Sequence, residues 1–429
     1  MSFIVAIDGP SGAGKGTITS ILAKKFNLLY LDTGATYRCI TLKLLNENID
    51  FNNIEKIKQV LEDTKIEIND KKFFLDGKDV TKEIRTKRVN ENVSIVSHIP
   101  EVRVSLVNLQ RKMAQGKDSI LEGRDIGTNV FPNANVKIYL DASIDERVKR
   151  RVKQNKEQNI DISEEDVRKN IEERDYNDLH STVAPLKKAE DAIYVDSSKT
   201  NIKQTVKIIS KIIKKEKHKY DMIEDSYNMW KETPLKIIAR NVLKFIFVIL
   251  YKIVFIPKNI NKKNLYSNKD EGVIVCANHI SYMDATGIVM QNKRKVRFVA
   301  KSELFTNPVL HHWAHIFDII PVKRGEGDLK SVKLCFKTLK NKEALGIFPE
   351  GTIDGLKKHT DLKNGAAYMA YKAKVKVIPV GIKGNFKPFR RVIFNYGEPI
   401  DVSKFKTDDP DWIENATDYI MDQIIKLSK

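Results

Sequence analysis

Gly9-Pro10-Ser11-Gly12-Ala13-Gly14-Lys15-Gly16-Thr17 follows the short apolar run of residues 3–7 and precedes a stretch in which apolar residues recur at helical spacing. The order strand, glycine-rich loop, helix is typical of a loop that binds nucleotide phosphates. Its glycines let backbone amides turn inward around phosphate oxygens at a helix N-terminus, while Lys15 supplies a mobile cation for the β and γ phosphates. The serine or threonine that usually follows the lysine is replaced by Gly16, and a threonine stands one position later, at Thr17. The stretch therefore predicts an α/β domain that binds a nucleotide, without naming the group that accepts a phosphate.

Further strands and helices are predicted beyond this βα unit. The apolar runs 118–121 and 136–141 are typical of buried strands. Residues 65–68 and 72–75 alternate around a turn, which predicts a small antiparallel insert near 60–85. Helical periods are found near 101–115, 144–158, 163–173 and 201–216. These elements predict a mostly parallel sheet covered by helices.

The composition excludes several classes of protein. The chain has 429 residues, of which 41% are hydrophobic and 31% charged, so it is globular and long enough for at least two domains. Its three cysteines lack paired or metal-ligand spacing, which excludes a disulfide framework and a zinc ribbon and indicates a reducing compartment. The first residues run into an apolar strand without a basic segment or cleavage site, so we expect no secretory signal and a cytoplasmic protein.

The formal net charge of +19 at pH 7 indicates a polyanionic partner. Nucleic acid is not expected, because the lysines are scattered, are not interleaved with aromatic residues, and accompany no nucleic-acid-binding motif. An anionic membrane surface, phosphorylated substrates and an acidic carrier protein remain as candidates. A lysine-rich surface that is merely solvated is the alternative.

The polar stretch 219–234 is predicted to link a domain at 1–218 to a second domain at 235–429. It follows a run of charged residues that is predicted to close the last helix of the first domain. The chain is therefore expected to fold as two separate units.

The segment 237–256 is strongly apolar but contains Arg240, Lys244 and Lys252. Its uncharged runs are far shorter than the roughly 20 residues that a membrane-spanning helix needs. Basic residues among dense aromatic and aliphatic ones favour a helix that lies on a membrane surface, with Phe245, Phe247, Tyr251 and Phe255 as its apolar contacts. An ordinary core-packing helix of the second domain is the alternative.

The first domain contains further motifs in a characteristic order. They are Asp32-Thr33-Gly34-Ala35-Thr36-Tyr37-Arg38, Arg103, Glu122-Gly123-Arg124-Asp125-Ile126-Gly127-Thr128, and Glu173-Arg174-Asp175 with Asp178 and Ala184-Pro185-Leu186. Together with the phosphate loop, they make residues 1–218 similar to the bacterial cytidylate kinases. The resemblance implies a P-loop nucleoside monophosphate kinase fold and phosphorylation of CMP or dCMP to CDP or dCDP, with ATP as donor and Mg²⁺ as its companion.

The resemblance also implies a role for individual residues. Lys15 and Arg174 would act on the transferred group, and no residue is predicted to be a metal ligand. ATP would be bound by the loop 9–17 and by a mobile lid carrying Arg147, Arg150 and Arg151. CMP would be bound by Thr33, Arg38, Arg103, Arg124, Asp125 and Asp178. Arginines suit this chemistry because phosphoryl transfer mainly requires charge neutralisation and in-line positioning.

One position departs from the kinase pattern. The family has an arginine three residues after Asp178, on the acceptor side, whereas this chain has Ser181 with His180 beside it. The missing charge-assisted contact leaves open a weakly active kinase, or a CMP-sensing module that regulates the second domain.

The second domain contains Asn278-His279-Ile280-Ser281-Tyr282-Met283-Asp284 directly after the apolar run 273–277. A neutral histidine can take the proton of an alcohol as the alcohol attacks a thioester, and a carboxylate on the other ring nitrogen fixes its tautomer. His279 is therefore the predicted base and Asp284 its orienting partner. A lone His-x4-Asp pair is weak evidence, so the prediction depends on its neighbours.

Further blocks follow in order: Lys301-Ser302-Glu303-Leu304-Phe305, Val322-Lys323-Arg324-Gly325-Glu326-Gly327, Phe348-Pro349-Glu350-Gly351-Thr352 and Val377-Ile378-Pro379-Val380-Gly381. With the His279 motif, they resemble the glycerolipid acyltransferases that acylate lysophosphatidic acid. The resemblance implies an α/β acyltransferase domain, preceded by an amphipathic helical segment, that converts 1-acylglycerol 3-phosphate to phosphatidic acid.

By the same resemblance, Arg324 and the turn Glu350-Gly351-Thr352 would bind the phosphate of the acceptor. The family usually has an arginine after this triplet, whereas this chain has Ile353, so phosphate binding would depend on Arg324, Lys301, Lys357 or Lys358. The acyl donor is acyl carrier protein or acyl-CoA, between which the sequence does not decide. The chain is thus predicted to be a fusion of two enzymes, attached peripherally to the inner face of the cell membrane through its second half.

Overall fold

The chain divides into two compact units, Met1–Tyr220 and Asp221–Lys429. The structure, a computed structural model, describes residues 2–69, 72–157, 162–181, 183–227, 234–266, 270–323, 328–353, 355 and 362–429. Both units contain a mostly parallel sheet with helices, so the predicted α/β class is confirmed.

The first unit follows the predicted alternation of strands and helices. Its strands are β1 (Ile4–Asp8), β2 (Leu29–Asp32), β3 (Ile66–Asn69), β4 (Lys72–Leu75), β5 (Lys78–Asp79), β6 (Ser119–Gly123), β7 (Val136–Asp141) and β8 (Ile193–Asp196). Its helices are α1 (Lys15–Phe26), α2 (Thr33–Asn46), α3 (Ile54–Glu62), α4 (Lys87–Ser97), α5 (Pro100–Ala114), α6 (Ile144–Glu157), α7 (Glu164–Leu179) and α8 (Ile202–Tyr227).

Five of these strands form a parallel sheet in the order β2-β6-β1-β7-β8. Every residue of β1 is buried, as expected for a central strand covered by helices on both faces. The carboxyl ends of β1 and β6 lie side by side, with Asp8 opposite Gly123. The loops that follow these two strands therefore meet at one edge of the sheet, where ligands of open α/β sheets bind.

The predicted insert is confirmed as an antiparallel sheet in the order β3-β4-β5. Phe73 and Leu75 of β4 are buried in a cluster with residues of α2 to α5. The insert thus has its own apolar core beside the main sheet.

The predicted end of the last helix at the charged run is wrong. Helix α8 continues to Tyr227, so the first part of the predicted linker is helical, and the boundary between the units falls inside this helix. Tyr227 is buried, and its hydroxyl donates a hydrogen bond to Asp328 Oδ2 at 2.8 Å. Residues 228–233 of the predicted linker lie outside the described residues.

The second unit has its own sheet. Its strands are β9 (Pro257–Ile260), β10 (Val273–Ala277), β11 (Val296–Lys301), β12 (Ile320–Val322), β13 (Ala344–Ile347), β14 (Lys376–Lys383) and β15 (Val392–Tyr396). Its helices, beside the end of α8, are α9 (Pro234–Phe255), α10 (Met283–Gln291), α11 (Pro308–Ile316), α12 (Leu329–Lys340), α13 (Gly365–Ala373) and α14 (Trp412–Ser428).

The strand order is β12-β11-β13-β10-β14-β15-β9, and of these pairs only β14 and β15 are antiparallel. Strand β10 is central and fully buried. The side chain of Asn278, just past β10, donates to the Ile382 carbonyl at 3.0 Å and accepts from the Ile382 amide at 2.7 Å. These two bonds fix the chain to β14 at the point where the His279 motif begins.

Helix α9 has a core face and an exposed apolar face. Phe247 packs edge-on against Trp313 with ring centroids 4.4 Å apart, Tyr251 is buried, and Phe255 packs against Phe386. These three aromatic residues therefore belong to the core, and the prediction that they contact a membrane is wrong for them. The side chain of Arg240 lies outside the described residues.

The opposite face of α9 is exposed and apolar among the side chains that the structure describes. Phe245 is 66% exposed, and it shares this face with Ile238, Val242, Ile249 and Ile253. No helix in the described part of the chain has both the length and the hydropathy that crossing a bilayer requires.

Candidate active sites

The phosphate loop joins the carboxyl end of β1 to the N-terminus of α1. Gly14, the N-cap residue, has φ 90° and offers no side chain to the first amides of α1. Those amides carry the partial positive charge of a helix N-terminus and suit an anion. A side chain at Gly9 would overlap the carbonyl oxygen of Leu140, so the close approach of the loop to β7 requires glycine there.

A buried cation, Lys15, and a half-buried one, Arg174, lie near this loop and interact electrostatically. The Lys15 ammonium donates to the carbonyl oxygens of Gly9 at 2.7 Å and Pro10 at 2.8 Å. Burial, and then the positive charge of Arg124, lower the pKa of Lys15 well below its usual range. Burial and Arg124 also lower the pKa of Arg174 to about 9. A phosphate bound among these groups would relieve their mutual repulsion, so the crowding of positive charge indicates an anion site.

Arg147 braces the phosphate loop. This buried guanidinium donates to the Ser11 carbonyl at 3.1 Å and forms an ion pair with Asp175. Asp175 in turn accepts from the Ser11 amide at 3.4 Å. Helices α6 and α7 thus both hold the loop in place.

The other two predicted lid arginines have different surroundings. Arg150 donates to the Ala13 carbonyl at 3.1 Å, so it also braces the loop. Burial, and then the charges of Arg38 and Arg124, lower the pKa of Arg151. Arg151 therefore belongs electrostatically with the arginines that were predicted to bind CMP.

The predicted CMP-binding residues are held by ion pairs. Arg124 Nε donates to Asp178 Oδ2 at 2.7 Å, and Arg103 forms an ion pair with Asp125. Arg38 lies 3.9 Å from Asp32 at the N-terminus of α2. Each carboxylate orients a guanidinium whose other N–H groups can bind a phosphate. Thr33 donates to the Glu122 carbonyl at 2.7 Å, next to these pairs.

Two buried carboxylates complete this site, and sequence reasoning gave neither a role. Burial, and then the charge of Asp32, raise the pKa of Glu122 to about 7. Burial also raises the pKa of Asp8 to about 6, although Asp8 accepts hydrogen bonds from the Ile126 and Gly127 amides at 2.8 and 2.7 Å. Asp8 thus connects the end of β1 to the loop after β6.

Ser181 lies at the end of α7, three residues after Asp178. Its hydroxyl oxygen is buried and has no hydrogen-bond partner within the described ranges. The neighbouring His180 is exposed and stacks on Tyr176 with ring centroids 4.1 Å apart. The described part of this segment therefore offers a neutral hydroxyl where the kinase pattern has a guanidinium.

In the second unit, the structure brings His279 and Asp284 together. His279 Nδ1 lies 2.9 Å from Asp284 Oδ2, which also accepts from the Ile280 amide at 2.7 Å and the Ser281 amide at 2.8 Å. Asp284 is fully buried; burial raises its pKa, and the hydrogen bond from His279 opposes that shift. Since Nδ1 is engaged, Nε2 is the nitrogen left to accept a proton.

The loop after β13 positions His279 from a second side. The Phe348 ring stacks on the imidazole with centroids 4.0 Å apart and an interplanar angle of 7°. Buried Glu350 accepts from the His279 amide at 3.2 Å. The dyad thus lies at the carboxyl ends of β10 and β13, which are neighbouring parallel strands.

The predicted phosphate-binding residues of this unit are only partly described. Glu350 contacts the backbone of His279, which is a positioning role, and its negative charge suits that role better than contact with a phosphate. Gly351 has φ 66°, and the buried hydroxyl of Thr352 has no hydrogen-bond partner among the described residues. Arg324, Lys357 and Lys358 lie outside the described residues.

Comparison with known proteins matches each unit to a different family. Residues 5–215 match the family model described as Cytidylate kinase, and residues 257–383 match the model described as Acyltransferase. A cytidylate kinase of Fusobacterium nucleatum is 49% identical over 216 residues, which is 50% of this chain and 99% of the relative. A cytidylate kinase of Leuconostoc mesenteroides is 47% identical over 49% of this chain and 96% of the relative.

The chain belongs to the cytidylate kinase family. Its C-terminal half carries an acyltransferase domain, so both predicted resemblances are confirmed at the family level. The 1-acyl-sn-glycerophosphate (LPA) acyltransferase PlsC from Thermotoga maritima is similar with a TM-score of 0.33 and 20% identity, over 47% of this chain and 86% of that chain.

In the cytidylate kinase half, some site residues escaped the sequence prediction. Asp8, Glu122 and Asp175 all lie in or next to the quoted motifs, but a carboxylate in a motif does not reveal which backbone amide it accepts from. In the acyltransferase domain, Phe348 stood in a quoted block without a role. The sequence showed only an aromatic residue two positions before Glu350. That this ring stacks on His279 became evident only from the structure, in which β10 lies beside β13.

Proposed function

We propose that this chain is a bifunctional enzyme that phosphorylates CMP and dCMP with ATP and Mg²⁺, and acylates 1-acylglycerol 3-phosphate to phosphatidic acid. The kinase proposal is supported by relatives of 49% and 47% identity, of which 99% and 96% of the length is covered. It is also supported by the convergence of buried cations on the loop after β1. The acyl-transfer proposal is carried by the His279–Asp284 dyad.

In the proposed kinase reaction, a phosphate oxygen of CMP attacks the γ phosphorus of ATP, and the bond to the β–γ bridging oxygen breaks. Charge moves from CMP to ADP, so the protein must neutralise charge at both ends. Lys15 and Arg174 suit the transferred group, while Arg38 and Arg124 suit the acceptor phosphate. Thr17, exposed in the first turn of α1, is the hydroxyl that would reach Mg²⁺.

In the proposed acyl transfer, His279 Nε2 takes the proton of the glycerol hydroxyl as its oxygen attacks the thioester carbonyl. Asp284 keeps Nδ1 as the donor and stabilises the imidazolium that forms. The tetrahedral intermediate collapses, the carbon–sulfur bond breaks, and the thiolate takes the proton from His279. No protein nucleophile is required, because the acyl group passes directly to the alcohol.

The acceptor is proposed from its phosphate and from the membrane surface. Lys301, exposed at the end of β11, and the unpartnered hydroxyl of Thr352 are the described groups available to a phosphate. The exposed apolar face of α9, with Phe245 and Ile249, suits the interface of an anionic bilayer, where a lysophospholipid resides. We propose peripheral attachment to the cytoplasmic face of the membrane through this helix.

The proposal is tested on the purified full chain with five assays. ADP release is measured with CMP, dCMP and UMP as acceptors, and phosphatidate formation is measured with acyl-CoA and with acyl carrier protein as donors. We expect turnover of CMP and dCMP and acylation with at least one donor. Absence of acylation with both donors on vesicles containing 1-acylglycerol 3-phosphate would reject the acyltransferase assignment.

A second candidate is an acyltransferase with a CMP-sensing kinase domain. It is favoured by one observation, the neutral Ser181 where the pattern has an arginine. In that case CMP would bind without ADP release, and its addition would change the rate of acylation. A CMP titration monitored by both assays distinguishes the two.

A further inference from the structure

A histidine pair and a carboxylate meet in the second unit, and none of these residues was assigned to either site described above. His311 and His315 lie one turn apart on α11, and Asp225 lies near the end of α8. Within the described ranges, they are the one set of three His, Cys, Asp or Glu residues whose possible ligand atoms come together. The kinase and acyltransferase reactions use none of them.

The three possible ligand atoms lie close enough together to share a metal ion. The two Nε2 atoms are 2.9 Å apart, and Asp225 Oδ2 lies 3.5 Å from that of His311 and 3.7 Å from that of His315. Ligands about 2.1 Å from a tetrahedral zinc ion lie about 3.4 Å from one another. The two carboxylate distances are close to this value and exceed those of good N–H···O hydrogen bonds, whereas the two Nε2 atoms are at hydrogen-bond distance from each other and would separate by about 0.5 Å around an ion.

The elements that carry the ligands are fixed independently of an ion. Asn307 caps α11 by accepting from the Val309 and Leu310 amides at 2.9 and 3.2 Å. On α8, the residues on either side of Asp225 are anchored, Glu224 by an ion pair with Lys330 and Tyr227 by its bond to Asp328. The three ligands are therefore held near one point before any ion binds.

We propose that Asp225, His311 and His315 form a zinc-binding site that joins α8 to α11. Two imidazoles and one carboxylate form a ligand set that suits zinc. Magnesium is not expected there, because it selects oxygen ligands. The side chain of Asp225 is 67% exposed, so an ion can enter from solvent and a water can take the fourth position. Because α11 also carries Trp313, against which Phe247 of α9 packs, the ion would stabilise the part of the fold that supports the exposed apolar face of α9.

The site is tested on the full chain, purified without a histidine tag and treated with a chelator. Zinc content after titration and dialysis is measured by mass spectrometry, and affinity is measured by competition with a chromophoric chelator. We expect one zinc ion per chain with micromolar or tighter affinity, unaffected by millimolar Mg²⁺. In the Co²⁺ form, we expect the visible absorption of a four- or five-coordinate site.

The matched control lies on the same helix. His312 is exposed, its Nδ1 lies 2.7 Å from the Pro308 carbonyl oxygen, and it is not part of the cluster. His311→Ala, His315→Ala and the nearly isosteric Asp225→Asn should each weaken zinc binding at least tenfold, whereas His312→Ala should retain it. Circular dichroism of the metal-free variants separates lost ligation from lost folding. Substoichiometric zinc in the wild-type chain, or equal zinc binding by all four variants, would overturn the proposal.

Discussion

The two units place their chemistry at the same structural position, the carboxyl ends of adjacent parallel strands, but they build it differently. The kinase site gathers at least six cationic side chains from several helices and loops; Lys15 and three of the arginines are restrained by a carboxylate or a carbonyl, and burial shifts several of the pKa values. The acyltransferase site has one imidazole that contacts one carboxylate and one aromatic ring, and two backbone amides donate hydrogen bonds to that carboxylate.

The difference follows from the reactions. Phosphoryl transfer moves several negative charges at once and requires cations distributed around both nucleotides. Acyl transfer from a thioester moves one proton and develops one oxyanion, so a single well-oriented base carries much of the catalysis. We therefore expect the kinase to tolerate loss of a peripheral arginine, whereas the acyltransferase should not tolerate loss of His279.

The largest expected effect is that of Lys15→Ala. It removes the ammonium that binds the transferred phosphate, and we expect CMP phosphorylation to fall by about 10³-fold or more. Acylation should remain near the wild-type rate, because the units have separate cores. Coupled ADP-release and phosphatidate assays on one preparation measure both, and equal loss of the two activities would mean that the sites are not independent.

The next largest effect is expected for substitutions on the exposed face of α9. Phe245→Ser with Ile249→Ser removes apolar area that should bury at the membrane, and we expect binding to anionic vesicles to weaken at least about tenfold. The control is Ile202→Ser with Ile208→Ser, which removes exposed apolar residues of α8 in the first unit. Vesicle sedimentation that falls equally in both double variants would exclude α9 as the specific contact. CMP phosphorylation should be unaffected in either.

Ser181→Arg tests whether the arginine that this chain lacks limits the kinase activity. A guanidinium at the end of α7 would restore a charge-assisted contact on the acceptor side, and we expect kcat/KM for CMP to rise about tenfold. Ser181→Ala is the control and should leave the rate unchanged. A rate for Ser181→Arg that is equal to or below that of wild type would show that another group already fills this role.

Glu122 gives the smallest expected effect, a pH dependence of stability. Its pKa is raised from 4.5 in the unfolded chain to about 7, so the folded state binds more protons between these values and stability falls as pH rises through this window. Asp8 adds a dependence of the same sign, since its pKa rises to about 6.

Glu122→Gln should therefore flatten the decline of the melting temperature between about pH 5 and 7, whereas Glu55→Gln, on an exposed side chain, should not. The kinase transition is identified by its upward shift on adding CMP and ADP. An equally steep decline in Glu122→Gln would assign the dependence to other groups.

Much of the fold was predictable because it depends on local patterns. The strands β1, β6, β7 and β10 are short apolar runs. The spacing of the glycines and the lysine in the phosphate loop is typical of loops that bind phosphates. The extent of α8 was not predictable, because Asp221–Tyr227 is polar and becomes helical through contacts such as that of Tyr227 with Asp328, which is distant in sequence.

The functional sites likewise contain features that could be predicted from the sequence and features that could not. The His279–Asp284 dyad was predictable because five residues and one turn place both groups together. The sequence did not distinguish the core face of α9 from its exposed face, because closely spaced aromatic residues are compatible with packing in a core and with contact to a membrane surface. The His311–His315 spacing was visible in the sequence, but the third ligand, Asp225, comes from another helix, and only the tertiary packing joins them.

The central claim is that one chain holds two independent enzymes, and His279→Ala tests it most directly when both activities are measured on the same sample. Loss of the base should lower acylation by about 10² to 10⁴-fold, while CMP phosphorylation stays within about twofold of wild type. Retained acylation would place the base elsewhere. Loss of the kinase together with the acyltransferase, in a variant whose circular dichroism is unchanged, would contradict the independence of the two sites.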